Sequence, residues 1–356
     1  MSTGNFHQHA YSNLVAALLP LGIALLTVPL YLSYLGDERF GALAIIQSFL
    51  LYFGFLDMGL GRATSRRIAS LSLGSDESRS DVLWTSIFAS LLLGFLGGVV
   101  LWLGTGLFLS SAISVSPTLR LEALSAILYV ALIFPFLLPI PTLTGALHAR
   151  YHFKAANIIL LVTNSLSQIL PLLAASIGMV DISTLILIVL AVKLVSGFFL
   201  IYFCYMWVPL RIKPCFNKKE FVDMLGYGGW VSMIGIIAPV LATLDRLIIG
   251  ALIGVKSVTY YVIPFDLVFK VMVIPGSISS ALFPRLVPLE REKALELSVS
   301  STRMLISIMT PLVIIAIALI GKFLELWVGA EFAGRAIYIP EIILFGIWFN
   351  AFVIAT

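Results

Sequence analysis

The chain has 356 residues, of which 60% are hydrophobic and only 11% charged; its net charge is +4 and its mean hydropathy +1.07. A soluble domain carries roughly 25% charged residues, so this composition excludes an ordinary globular fold and indicates an all-α polytopic membrane protein. The basic excess falls in loops on one side of the membrane, which argues against nucleic acid as a partner.

Ten apolar runs of spanning length follow one another, near 13–35, 40–60, 82–109, 121–147, 154–178, 182–208, 225–253, 258–287, 303–327 and 337 to the end. No basic segment precedes the first run, which is long enough to span, so it reads as a retained helix rather than a cleaved signal. Arg62, Arg66, Arg67 and Arg79 follow the second run, and Arg150 and Lys154 the fourth. Arg211, Lys213, Lys218 and Lys219 follow the sixth, and Arg285, Arg291, Lys293 and Arg303 the eighth. The alternate loops hold little beyond Arg39, Arg120, Lys256 and Arg335, which predicts a cytoplasmic N-terminus.

The tenth run reaches Thr356 with no polar residue after it, as expected of a chain cut short. "YLSYLGDERFGALAIIQSF" after the first run aligns with "IIGALIGVKSVTYYVIPFD" after the seventh, placing Gly36 on Gly254 and Phe40 on Val258. The offset is six helices, an even number, so the two halves share one orientation, as in parallel-repeat transporters. The expected architecture is two six-helix lobes, residues 1–215 and an incomplete 216–356 of about four helices.

The stretches "VPLYLSYLGDERFGALAIIQSFLLYFGFLDMGLGRATSRRIA" and "GYGGWVSMIGIIAPVLATLDRLIIGALIGVKSVTYYVIPFDLVFKVMVIPGSISSALFPRLVPL" resemble the polysaccharide transporter family. That family includes the O-antigen and lipid-linked oligosaccharide flippases of the multidrug/oligosaccharidyl-lipid/polysaccharide (MOP) superfamily. The resemblance implies a MATE-like fold in the bacterial inner membrane, with two bundles facing a central cavity. It also implies transfer of an undecaprenyl-diphosphate-linked oligosaccharide from the cytoplasmic to the periplasmic leaflet. Membrane lipid, a glycan polymerase and chain-length proteins are the further partners expected. Relative to the family pattern about two C-terminal helices are missing.

Charges inside apolar runs are the candidate site. A cation at the bilayer centre costs from about 2.5 kcal/mol upward, so Lys193, Arg246 and Lys270 should face water or a partner. Asp245 neighbours Arg246 but points about 100° away round the helix. Asp266 and Lys270 are four residues apart and can meet on one face. Three cations against two acids suit a diphosphate, since Arg bonds phosphate oxygens in pairs and Lys acts as a point charge. The same pairs would equally serve to hold the seventh and eighth helices in register. Arg62, with Arg66 and Arg67, could collect the headgroup or simply anchor the second helix, and Asp57 could pair with one of them or act as a protonatable coupling group.

Pro20, Pro29, Pro239, Pro264 and Pro275 predict kinks in the first, seventh and eighth runs. "GFLGG" at 94–98 and "GALIG" at 250–254 have the spacing of close helix packing. No enzyme motif is present: His7, His9, His148 and His152 lack metal-ligand spacing, Cys204 and Cys215 match no metal or redox pattern, and "GLGRAT" follows no strand. No metal or cofactor is therefore expected. Two alternatives remain: a cation-coupled drug antiporter, which would want unpaired acids in its cavity, and a membrane-integral glycan polymerase or ligase, which would want a sizeable periplasmic loop.

Overall fold

A computed structural model describes residues 3–52, 56–57, 59–71, 76–111, 116–208, 211, 214–224, 226, 244–276, 278 and 290–355. The helices are α1 (Thr3–Tyr52), α2 (Leu60–Ser70), α3 (Asp76–Ser111), α4 (Pro117–Leu137), α5 (Pro139–Ala149), α6 (Phe153–Ser176), α7 (Ile182–Trp207), α8 (Val255–Phe269), α9 (Arg291–Val328), α10 (Ala330–Ala336) and α11 (Tyr338–Ala355). Residues 244–252 are also helical, and a 3₁₀ turn at Lys270–Met272 follows α8.

Among the described residues, six helical stretches are long and apolar enough to cross a membrane: 76–104, 117–149, 153–176, 182–207, 255–276 and 295–328. A seventh is formed if α10 and α11, bent by 52° at their junction, make one broken span. These coincide with the third to sixth and the eighth to tenth apolar runs. The first two runs form α1, a single helical trace broken at Gly36, where φ is 71° and ψ 171°. Most of the seventh run, including Pro239, lies outside the described residues, as do Lys213 and Arg285.

The chain divides into two compact units, 33–258 and 1–32 with 259–356. In the larger unit α3 packs on α4, α2 on α5, and α7 on both α4 and α6. Its core joins Leu60, Ile68, Leu83, Leu143, Leu147, Leu200 and Cys204 from α2, α3, α5 and α7. Small residues set the helix spacing. A Cβ on Gly145 would collide with the backbone oxygen of Gly61, and one on Gly61 would stand 2.7 Å from that of Pro141. "GFLGG" likewise packs on α4, where a Cβ on Gly94 would lie 2.5 Å from the Pro135 Cα. Hydroxyls buried in this unit bond one another: Thr64 Oγ1 donates to Ser86 Oγ at 2.7 Å, and Ser90 and Thr142 are 3.0 Å apart. Such pairing removes the cost of an unsatisfied polar group in hydrocarbon.

In the other unit Val268, Leu305, Met309, Val313, Leu344 and Ile347 form the core between α8, α9 and α11. Pro29 has no N–H, so the Leu25 carbonyl four residues earlier loses its helical donor. The Trp327 indole replaces it, donating to the Leu25 oxygen at 2.6 Å.

Candidate functional site

The fully buried residues of α7 are Ile182, Leu185, Ile186, Val189, Leu190, Ser196, Gly197, Leu200 and Cys204. At 100° per residue those from Ile186 onward lie within about 60° of Lys193 round the helix, so Lys193 stands in the middle of the stripe that α7 turns toward its neighbours. Its side chain is half-buried and, among the described residues, forms no hydrogen bond or ion pair. One turn on, the Ser196 hydroxyl is buried without a hydrogen-bond partner, and so is that of Ser167 on the adjacent α6. α4 and α5 are interrupted at Leu138, between Pro135 and Pro139. Pro139 and Pro141 withdraw donors from the Pro135 and Leu137 carbonyls, which adds polarity to an otherwise apolar level of the bundle.

Asp245 and Arg246 are both half-buried on the 244–252 helix. Arg246 Nη1 donates to Ser48 Oγ at 3.3 Å, and Ser48, only 2% exposed, donates in turn to the Ala44 carbonyl at 2.7 Å. Four residues beyond Arg246, a Cβ on Gly250 would stand 3.0 Å from Ile45 Cδ1. The arginine is thus held where the second half of α1 meets the 244–252 helix.

Asp266 and Lys270 are exposed and form no ion pair with each other. Residues 266–269 are still α-helical, and a 3₁₀ turn begins at Lys270 itself. Arg62 is exposed on α2. Asp57 accepts the Gly59 N–H at 2.6 Å, fixing the left-handed residue (φ 63°) that precedes α2. Nearby, Arg67 grips Glu220 with two bonds, Nη2–Oε1 at 2.5 Å and Nε–Oε2 at 2.8 Å. The guanidinium holds the Glu220 carboxyl below its usual range.

A second polar cluster was not among the sequence candidates. Gly36 and Gly254, the aligned glycines of the internal repeat, both adopt positive φ, 71° and 113°. The loops they open meet: Lys256 Nζ lies 3.6 Å from Asp37 Oδ2. Arg39 forks onto Glu122 at 2.8 and 3.4 Å, Glu122 accepts the Ile182 N–H at 3.2 Å, and Glu38 accepts the Ser116 N–H at 3.1 Å. Asp181 caps α7 through the Thr184 N–H at 3.0 Å. Burial raises the Asp181 carboxyl, but hydrogen bonds from Ser183 and Thr184 and the charge of Arg39 leave it below its ordinary value. Between these loops lies a cavity of about 420 Å³, walled by Asp37, Glu38, Arg39, Ser116, Thr118 and Lys256 together with neighbouring leucines. The matching glycines of the repeat were the one signal that could have pointed to it.

A family model described as "Polysaccharide biosynthesis protein" matches residues 6–290. A Shigella flexneri protein named "Putative O-antigen transporter" is 25% identical over 95% of this chain and 80% of its own length. Among solved structures, an inward-facing multidrug resistance MATE family transporter of the MOP superfamily superposes with a TM-score of 0.70 at 16% identity, covering 95% of this chain and 84% of that one. A MOP superfamily transporter from Pyrococcus furiosus, reported to have a binding pocket of reversed polarity, gives a TM-score of 0.60 at 16% identity over 96% of this chain and 80% of the other. The fold is therefore MATE-like.

Proposed function

The chain belongs to the polysaccharide biosynthesis protein family, and from that membership we propose that it moves a polyprenyl-diphosphate-linked oligosaccharide from the cytoplasmic to the periplasmic leaflet of the bacterial inner membrane. The observation that carries the reading is Lys193, a cation on the inward face of an apolar helix with no carboxylate partner among the described residues. A lysine held there at a cost of about 2.5 kcal/mol or more is explained by an anionic group that visits it. The diphosphate of a lipid carrier is such a group, and the lysine ammonium would meet it as a point charge.

In this reading Arg246 and Lys270 offer further cations along the path, Asp245 and Asp266 keep the local charge from growing too large, and Arg62 gathers the headgroup at the cytoplasmic leaflet. Asp57 is the candidate for coupling to a proton or sodium ion. Residues 1–215 and 216–356 would be the two lobes that alternate access. The O-antigen transporter name of the Shigella relative supports the same substrate class. Expression in a strain lacking its own flippase supplies the test. Surface glycan should be restored by the chain and lost with Lys193→Ala at equal protein level; glycan display unaffected by Lys193→Ala would overturn the proposal.

A further inference from the structure

The cavity at the repeat loops lies at the α7 N-terminal end of the larger unit, whereas the basic Arg211 follows the α7 C-terminal end, and the transport reading gives the cavity no task. Its charged wall consists of two carboxylates, Asp37 and Glu38, and two cations, Arg39 and Lys256. Glu122, bonded to Arg39, and Asp181 beside it add two more carboxylates, an excess of acid that disfavours a diphosphate.

What remains is hydrogen-bonding capacity. The 3.6 Å between Lys256 Nζ and Asp37 is longer than a hydrogen bond, so the ammonium keeps its donors. Arg39 engages Glu122 through Nε and Nη2 and has Nη1 to offer. Glu38 uses Oε1 on the Ser116 N–H, which leaves Oε2 as an acceptor. Among the described residues the Thr118 hydroxyl makes no bond. Donors and acceptors thus both line a space of about 420 Å³, within the size range of ligand sites, while Leu35 and Leu119 supply an apolar wall. A sugar ring matches this pattern, with hydroxyls that both donate and accept, a C–H face, and no charge.

We infer that this cavity is a saccharide subsite that holds one or two sugar units of the passing glycan at the end of the protein opposite the basic loops. The inference rests on the transport reading above for the identity of the glycan. Its loose Lys256–Asp37 pair lets a sugar hydroxyl enter between the loops of the two repeats, linking occupancy to the glycine-opened turns at Gly36 and Gly254.

The test titrates the purified full chain in nanodiscs with the water-soluble glycan freed by mild acid from the producing cell's own lipid-linked oligosaccharide. That probe carries neither lipid nor diphosphate. Saturable binding is expected, weakened about tenfold by Lys256→Met and by Thr118→Val, each of which removes a hydrogen-bonding group. The inference is overturned if the unaltered chain shows no saturable binding, or if neither substitution changes it. Failure here with flipping of the whole lipid-linked substrate intact removes the subsite alone. Freed glycan bound by a chain that flips no lipid-linked substrate removes the transport reading.

Discussion

Replacing Lys193 by methionine should separate stability from function. Methionine keeps the unbranched stem and its packing but removes the charge. A lysine at the centre of a membrane helix costs roughly 2.5–3.5 kcal/mol on insertion scales, and the half-buried Lys193 carries part of that cost. A gain of about 2 kcal/mol is therefore expected, equivalent to about a thirtyfold shift in the unfolding equilibrium. Denaturant titration of the purified variant in mixed micelles would measure it, with surface glycan in a flippase-null strain as the functional readout. The variant should be more stable and inactive, the pattern of a residue kept for activity at the expense of stability. Lys193→Arg, which keeps a cation, should retain part of the activity. A methionine variant that displays glycan normally would refute the reasoning, and so would one that is less stable than the parent, because Lys193 would then be a packing residue.

Gly145→Ala should destabilise the α2–α5 crossing by about 1–3 kcal/mol, since its Cβ meets backbone of Gly61 that cannot swing aside; a thermal midpoint equal to the parent's would contradict that packing. Trp327→Phe leaves the Leu25 carbonyl without a donor and should cost about 1–3 kcal/mol, read by the same melt. Glu220→Gln probes the clasp on Arg67. Because the folded carboxyl is held below its ordinary value of 4.5, its contribution is full above that pH and is lost as pH falls through the lower folded value. The stability gap between parent and variant should thus be constant from neutral pH down to about pH 5 and close only in stronger acid; a gap that closes near neutrality would argue against the clasp.

The spans were legible because each buries or exposes an uninterrupted apolar run, a signal that needs no tertiary information. Gly36 and Gly254, which the letter match pairs, both adopt positive φ. "GFLGG" packs as its spacing suggested. The interruption at Leu138 was written in Pro135, Pro139 and Pro141, but an apolar run of full length concealed it. Asp266 and Lys270 form no ion pair with each other although their spacing puts them within reach, because spacing alone does not hold two exposed side chains together. Arg39 with Glu122, 83 residues apart, and Lys256 with Asp37 across the repeat could not be read at all. Pairing between distant loop ends leaves no local pattern, and charges at span boundaries look like ordinary solvated termini.

The most direct measurement reconstitutes the purified chain in liposomes with a lipid-linked oligosaccharide and follows how much of it becomes accessible to an added glycosidase or lectin. Transfer should exceed that of protein-free liposomes and fall to their level with Lys193→Met. Equal accessibility with and without protein, or transfer undiminished in the variant, would contradict a phosphate-bearing substrate that passes this lysine.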